Sequence, residues 1–545
     1  MVRLQWSIQQ TNSLVLGAIL FSASVASAQK FVSDDPLHKV PEVESAQHAG
    51  VQAINPLFDF IVHSAQYKTP LPTPSQAVNS LGEVPDSSWF TNRKPISKMT
   101  VAELKTGARV HGEPKPPFTV VAAKTEGVTP GFRIRDARGI LYFVKVDPSS
   151  NPEMASAADT VAPLFLYALG YNVPENYVFY GRREDFKLSN KATITALSGK
   201  KHPMTKVQLD RILNAVTQSG DGRLRLMGSM SVSGRIVGPF RYQGVRNDDP
   251  NDLAPHESRR DLRGLDVFFA WLNHTDAKGD NSIDSVIGSG ANAKIEHFLL
   301  DFGDSFGSDS DIAKDPRHGQ EDILPTSREQ LNRALTLGFK PVDWEIVRYP
   351  KELPAVGNFT SIGFDPLGWR PNYPNPAFLA IQPEDGYWAA KRVMQFSNEQ
   401  ILAIVEEGRF SNPAVSTYIA KVLEERRDKI GRAWYMKVLP LEDFAIESDH
   451  LKFADIGPQA GLPTHHVDRY DWFQFDNSAN RPLAHYSSDD AIIPAPILGA
   501  ADGSYIGCTL SSSDAPHRTV TVYFLRRSGD WVIVGLERAS PQAMS

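Results

Sequence analysis

Apolar positions along the chain follow two periods, and the switches between them mark its parts. Three β-type runs, FTVVAAK (118–124), FRIRDARG (132–139) and ILYFVKV (140–146), succeed one another across glycine-bearing turns and predict an antiparallel meander. The period then lengthens. Over 153–170, Met154, Ala158, Val161, Phe165 and Leu169 fall on one helical face, with Gly170 placed as C-cap and Pro163 as a point of kinking or early termination. Two more strands, 176–182 and 224–234, flank a helical stretch near 205–217. A mixed-charge first turn opens an apolar helix over 256–273, a buried strand ending in a glycine-rich turn covers 295–307, and two or three amphipathic helices fill 384–436, one with a serine N-cap. After about 440 the helical period stops, and short β-runs end in a hairpin over 519–538.

These patterns divide the 545 residues, too many for one ordinary domain, into five parts. They are a leader (1–28), an extension (29–112), a small β-rich unit (113–245), a larger mainly helical unit (246–440) and a β-rich C-terminal domain (441–545). The expected fold class is α+β. The extension is rich in Pro, Ser and polar residues and is expected to wrap the next domain, with Trp89 and Phe90 as packing anchors.

The leader has Arg3, an apolar core at 13–26 and the small-x-small sequence Ala26-Ser27-Ala28, which predicts an exported protein, periplasmic or extracellular, cleaved after Ala28. No later segment reaches the roughly 20 apolar residues of a membrane span, so none is expected. Cys508 is the only cysteine, which excludes an intramolecular disulfide. Losing the leader removes Arg3 and no anion, taking the formal charge from −6 to −7. That mild deficit argues against nucleic acid or anionic lipid as the main partner.

The candidate chemistry lies in NHTDAKGDN (273–281), where His274, Asp276, Lys278 and Asn281 are spaced H-x-D-x-K-x-x-N. Downstream, LLDFGDSFG contains a literal D-F-G opened by Asp301, and upstream Lys145 sits on the third run of the meander. Phosphoryl transfer asks for this kind of parts list: a cation on a rigid strand, a base facing the acceptor hydroxyl, and two oxygen ligands for magnesium. Bland readings exist for each part, a solvated strand lysine for Lys145 and a polar helix-to-strand turn for the loop. His256, Glu257, Arg259, Arg260 and Arg263 form a charged cluster that reads first as a salt-bridged helix start and second as a pocket lining. His297 is expected to pack beside its strand. His465 and His466 lack ligand partners at zinc spacing.

Over about 113–436 the chain resembles the protein-kinase-like superfamily, whose catalytic loop reads H-R-D-x-K-x-x-N and whose magnesium aspartate opens D-F-G. The resemblance implies a bilobal fold, a small antiparallel β lobe beside a larger helical lobe. It implies Asp276 as base, Lys278 on the transferring phosphate, Asn281 and Asp301 as magnesium ligands, and Lys145 on the nucleotide phosphates. It also implies an acidic partner for Lys145 on the following helix, either Asp159 or Glu153, with Asp159 favoured by its depth in the helix. The turn TEGVTPG stands where the phosphate-covering loop belongs and offers only Gly127 and Gly131. Thr275 stands where the family has arginine, and with the short glycine set this places the likeness nearest the atypical branches: lipid-kinase-like, secretory-pathway and spore-coat-type kinases. The implied function is an exported phosphotransferase using ATP and magnesium on a hydroxyl of a protein or other polymer. Alternatives from other classes are a pseudokinase-type binding scaffold and a kinase-fold nucleotidyltransferase.

Overall fold

The computed structural model describes residues 29–37, 42–55, 73–124, 131–195, 200–320 and 346–539. The expected leader and Gly127 lie outside them. The fold class is α+β: the described residues form four sheets and nine α-helices. Among the same residues no helix is long and apolar enough to cross a membrane.

The meander forms as its alternation predicts. Strands β1 (Phe118–Lys124), β2 (Gly131–Arg135) and β3 (Leu141–Lys145) pair antiparallel, with Gly131 opposite Lys145. They belong to a seven-stranded sheet completed by β4 (Asn176–Gly181), β5 (Phe186–Thr195), β6 (Lys201–Pro203) and β7 (Leu224–Met230), in the order β4-β7-β3-β2-β1-β5-β6. The sheet is not wholly antiparallel, because β1 pairs parallel with β5. The chain reaches β5 only after crossing through the helix that follows β3, and such a crossover delivers a strand in the same direction. Phe118, Val120, Ile134, Tyr142, Val144, Phe179 and Leu226 fill its core.

Helix α1 (Val101–Thr106) belongs to the extension, and α2 (Met154–Leu169) follows β3. Pro163 does not end α2. The ring removes the donor that would bind the Asp159 carbonyl, and the side-chain amide of Asn176 donates to that carbonyl instead at 2.6 Å. Helix α3 (Lys206–Asn214), opened by a Thr205–Gln208 capping box, closes one face of the sheet with Leu209 and Leu213.

The second core is helical. It joins α2 to α4 (Arg260–Leu272), α5 (Pro376–Leu379), α6 (Pro383–Val393), α7 (Asn398–Glu406) and α8 (Pro413–Tyr435) around Phe165, Trp271, Trp388 and Leu423. Against it lies a three-stranded sheet of β8 (Arg235–Gly238), β9 (Ser282–Ile287) and β10 (Lys294–Leu299) in the order β10-β9-β8. The segment 295–307 is, as expected, a strand followed by a glycine-rich turn, with the strand ending at Leu299.

The C-terminal part has its own apolar core. A hairpin of β11 (Leu441–Glu447) and β12 (His450–Asp455) precedes an antiparallel sheet of β13 (Arg469–Asp476), β14 (Arg481–Ser488), β15 (Tyr505–Ser511), β16 (Thr519–Arg527) and β17 (Asp530–Ala539), ordered β14-β13-β15-β16-β17. The short helix α9 (Ala495–Leu498) buries Ile497 in this core beside Trp472 and Cys508.

The extension packs on the C-terminal sheet, the β8 to β10 sheet and the helical core. Phe31 packs among Phe473, Phe475 and Tyr523, with Asn477 exchanging hydrogen bonds with its backbone at 2.8 and 3.0 Å. Ala46 and Ala49 pack on β8 to β10. Trp89 stacks on His297 at a ring separation of 3.5 Å, and Phe90 is fully buried against Tyr171 and Trp388. Both aromatics are thus packing anchors.

Candidate functional site

Helix α4 ends because Asn273 adopts the left-handed region (φ +52°), which short polar side chains tolerate, and the chain turns into His274. His274 and Thr275 are buried, whereas Asp276 and Lys278 are each about a quarter exposed. Lys278 Nζ pairs with Asp276 Oδ1 at 2.9 Å, and Asn281 Nδ2 donates to Asp276 Oδ2 at 2.9 Å and to its backbone carbonyl at 2.8 Å. Three of the four polar residues picked out in the motif therefore form one contiguous cluster. Its far end joins the D-F-G turn, because β9 and β10 are paired with Ser282 opposite Leu299 and the Leu300 N–H donates to the Asn281 carbonyl at 2.9 Å.

Lys145, at the end of β3, reaches across to that turn. Its ammonium lies 2.9 Å from Asp159 Oδ2 on α2 and 2.5 Å from Asp301 Oδ1. Burial opposes charge on Lys145, but the carboxylates of Asp159 and then Asp301 outweigh it and hold the pKa above the ordinary lysine value. Burial pushes Asp159 above the ordinary carboxylate value, Lys145 pulls it down, and Asp301 adds to the rise. The other oxygen of Asp159 accepts from the Phe302 N–H at 2.8 Å, so one side chain fixes both the lysine and the turn.

Glu153 plays no part in this pair. It sits at the N-terminus of α2 with φ +70°, and its carboxylate accepts from the Ser411 N–H and hydroxyl. Asp159, deeper in the helix, is the partner.

Two backbone positions explain the turn. Asp301 itself is left-handed (φ +56°), which aims a half-exposed carboxylate at Lys145. At Gly303 a Cβ would lie 3.0 Å from Asp159 Oδ2 and 2.9 Å from Ser310 Oγ, so a side chain there would crowd the carboxylate that holds Lys145. Gly131 starts β2, where a Cβ would meet the Val144 carbonyl at 2.7 Å; its role in the structure is close strand packing beside Lys145.

Several supporting residues belong to no motif. Asp147, two residues past Lys145, accepts from the Ser156 N–H and hydroxyl at 2.8 and 2.7 Å, tying β3 to the first turn of α2. Arg225 lies 3.6 Å from that carboxylate and donates to the carbonyls of Gly408 and Arg409, fastening the sheet to the end of α7. Beneath the catalytic-looking loop, buried Asp304 accepts from the Thr275 hydroxyl at 2.8 Å and pairs with Lys314. Burial pushes Asp304 up to about 7 against the pull of Lys314, while burial and Lys314 together hold His274 down at about 4. A neutral imidazole therefore sits under the loop at pH 7.

The charged cluster at 256–263 is paired, mostly with carboxylates outside it: His256 with Asp252, Arg259 with Asp261, and Arg260 and Arg263 both with Asp385. These pairs support the helix start, and Arg260 also lines a cleft with Gly82, Trp388 and Lys391. His297 is buried against Asp284 and Trp89.

Among the described residues, no group of three or more His, Cys, Asp or Glu side chains forms a metal cage. Asn281 and Asp301 offer one amide and one carboxylate oxygen. That is the small protein contribution magnesium takes where substrate phosphates and water supply its other ligands, so the residues present fit a magnesium nucleotide. No family model and no curated protein matches the chain.

Proposed function

We propose that this protein is an exported phosphotransferase that uses ATP and magnesium to phosphorylate a hydroxyl of a protein or other polymer, on a bilobal kinase-like fold. The observation that carries the proposal is the bridge made by Lys145. Its ammonium spans two carboxylates that lie 14 and 156 residues away, one on the next helix and one opening the D-F-G turn, at the end of the hairpin that also carries Asn281. Folding alone has little use for a lysine that bridges a buried and a half-exposed aspartate beside the loop that carries Asn281.

In this reading Lys145 meets the nucleotide phosphates and is kept aimed by Asp159. Asn281 and Asp301 would hold magnesium, which when bound neutralises charge on the phosphates. Asp276 accepts the proton of the acceptor hydroxyl. Its present partners, Lys278 and Asn281, keep the carboxylate oriented, and Lys278 would steady the transferring phosphate.

The proposal is tested with residues 29–545, magnesium, and ATP labelled at either the γ or the α phosphate, using casein and the chain itself as acceptors. Transfer of γ label, lost in Asp276→Asn, is the expected result. Transfer of α label would establish nucleotidyl transfer instead, and binding without transfer of either label would favour the scaffold.

A further inference from the structure

The segment after Asp301 carries a cation that the motifs do not explain. From Gly307 the chain makes a short loop, bridged between Ser308 and Ala313, and returns Lys314 beneath the catalytic-looking turn. The return is fixed by backbone contacts: the Lys314 N–H donates to the Gly307 carbonyl at 2.8 Å, and Asn358 donates to the Lys314 carbonyl at 2.7 Å. The side chain is 1% exposed. Its ammonium donates to the Asn273 carbonyl at 3.0 Å, the Thr275 hydroxyl at 2.8 Å and the Asp304 carbonyl at 3.1 Å, and it pairs with the Asp304 carboxylate. Thr275 in turn donates to Asp304 at 2.8 Å, and its own carbonyl accepts from the Asn372 N–H at 2.7 Å.

A buried ammonium is costly to desolvate, and it persists where its donors are all used. Here they are spent on Asn273 and Thr275, three residues and one residue before Asp276, and on Asp304, three past Asp301. Among the described residues, the groups that the Lys314 ammonium binds are thus supports of the proposed base and of a proposed magnesium ligand. Kinase loops that are ordered by phosphorylation acquire that order from new arginine–phosphate pairs. In this chain the position before Asp276 is threonine, and the cation comes from the loop itself.

We propose that Lys314 is a positioning residue that locks the catalytic turn to the D-F-G segment, so that the site is assembled without phosphorylation of the loop. The assignment rests on the phosphotransferase reading.

The test uses residues 29–545 and two variants, Lys314→Met and the double variant Lys314→Met/Asp304→Asn, which leaves no buried carboxylate without its counter-charge. The double variant is expected to melt cooperatively and to keep KM for MgATP within about threefold, while kcat falls at least about tenfold. Hydrogen exchange of the amides at 275–281 should quicken by about tenfold, and phosphatase treatment of the unaltered chain should change kcat less than about twofold. A kcat within about twofold of the parent, unchanged exchange in the folded double variant, or activity lost to phosphatase would each overturn the assignment while leaving the phosphotransferase reading intact. An unaltered chain without transfer activity would overturn both.

Discussion

Without the ammonium of Lys145, Asp159, 2% exposed, would face Asp301 with no counter-charge between them. Lys145→Met should therefore lower stability by about 2 kcal/mol in urea unfolding, below the ~3–5 kcal/mol of a wholly buried pair because Lys145 is about a third exposed. The same variant should lose nucleotide affinity. Asp276→Asn, which leaves these carboxylates alone, should lower kcat by roughly 10²–10⁴-fold with nucleotide binding nearly unchanged in calorimetry. His274 gives a pH signature. Its folded pKa of about 4 lies below the ordinary 6.5, so its contribution is fully present above pH 6.5 and is lost as pH falls through 4. His274→Asn should flatten the acid limb of stability between those values, read by urea unfolding across that pH range.

At this scale the sequence was readable where the cluster is local in the chain. His274, Asp276, Lys278 and Asn281 share one turn, and Asp159 was separable from Glu153 by its depth in the helix. Lys314 was not readable. It stands in SDIAKDP, a polar stretch with no period, and only the fold shows that the loop turns it inward. Asp147 and Arg225 were missed for the same reason, since their meaning depends on partners 9 and 78 residues away in the chain.

Elements with a strong period were the legible ones. The three strands of the meander, α2, α4 and the three helices between 383 and 435 all lie where apolar spacing puts them. The misreadings have local causes. The parallel pairing of β5 on β1 depends on a crossover that no local pattern encodes. The continuity of α2 through Pro163 depends on Asn176, 13 residues further on, supplying the missing donor. Asn176→Ala should therefore expose the cost of that proline: a buried carbonyl left unpaired is worth about 1–3 kcal/mol, read by thermal or urea unfolding. The C-terminal sheet depends on an element outside itself. Phe31→Ala should cost about 3–5 kcal/mol of that sheet's stability and raise hydrogen exchange in β13 and β16 ahead of the helical core.

For the whole molecule, the extension is a tie running from the C-terminal sheet, past the β8 to β10 sheet, to the helical core. Its composition predicted a wrapping segment, and its anchors at Trp89 and Phe90 were legible as aromatics in a polar stretch. Its contact with the C-terminal sheet was not, because Lys30 and Phe31 carry no pattern and their partners lie more than 440 residues away. The central claim is that Lys145, Asp276, Asn281 and Asp301 form one site for a magnesium nucleotide. The most direct measurement is the thermal shift of residues 29–545 with ATP, with and without magnesium, set beside Asp301→Ala. At ligand about 100-fold above Kd, binding should stabilise the unaltered chain by about 2.7 kcal/mol in the presence of magnesium, and the variant should show no magnesium-dependent shift. An unaltered chain that melts at the same temperature with and without magnesium and ATP would contradict the account.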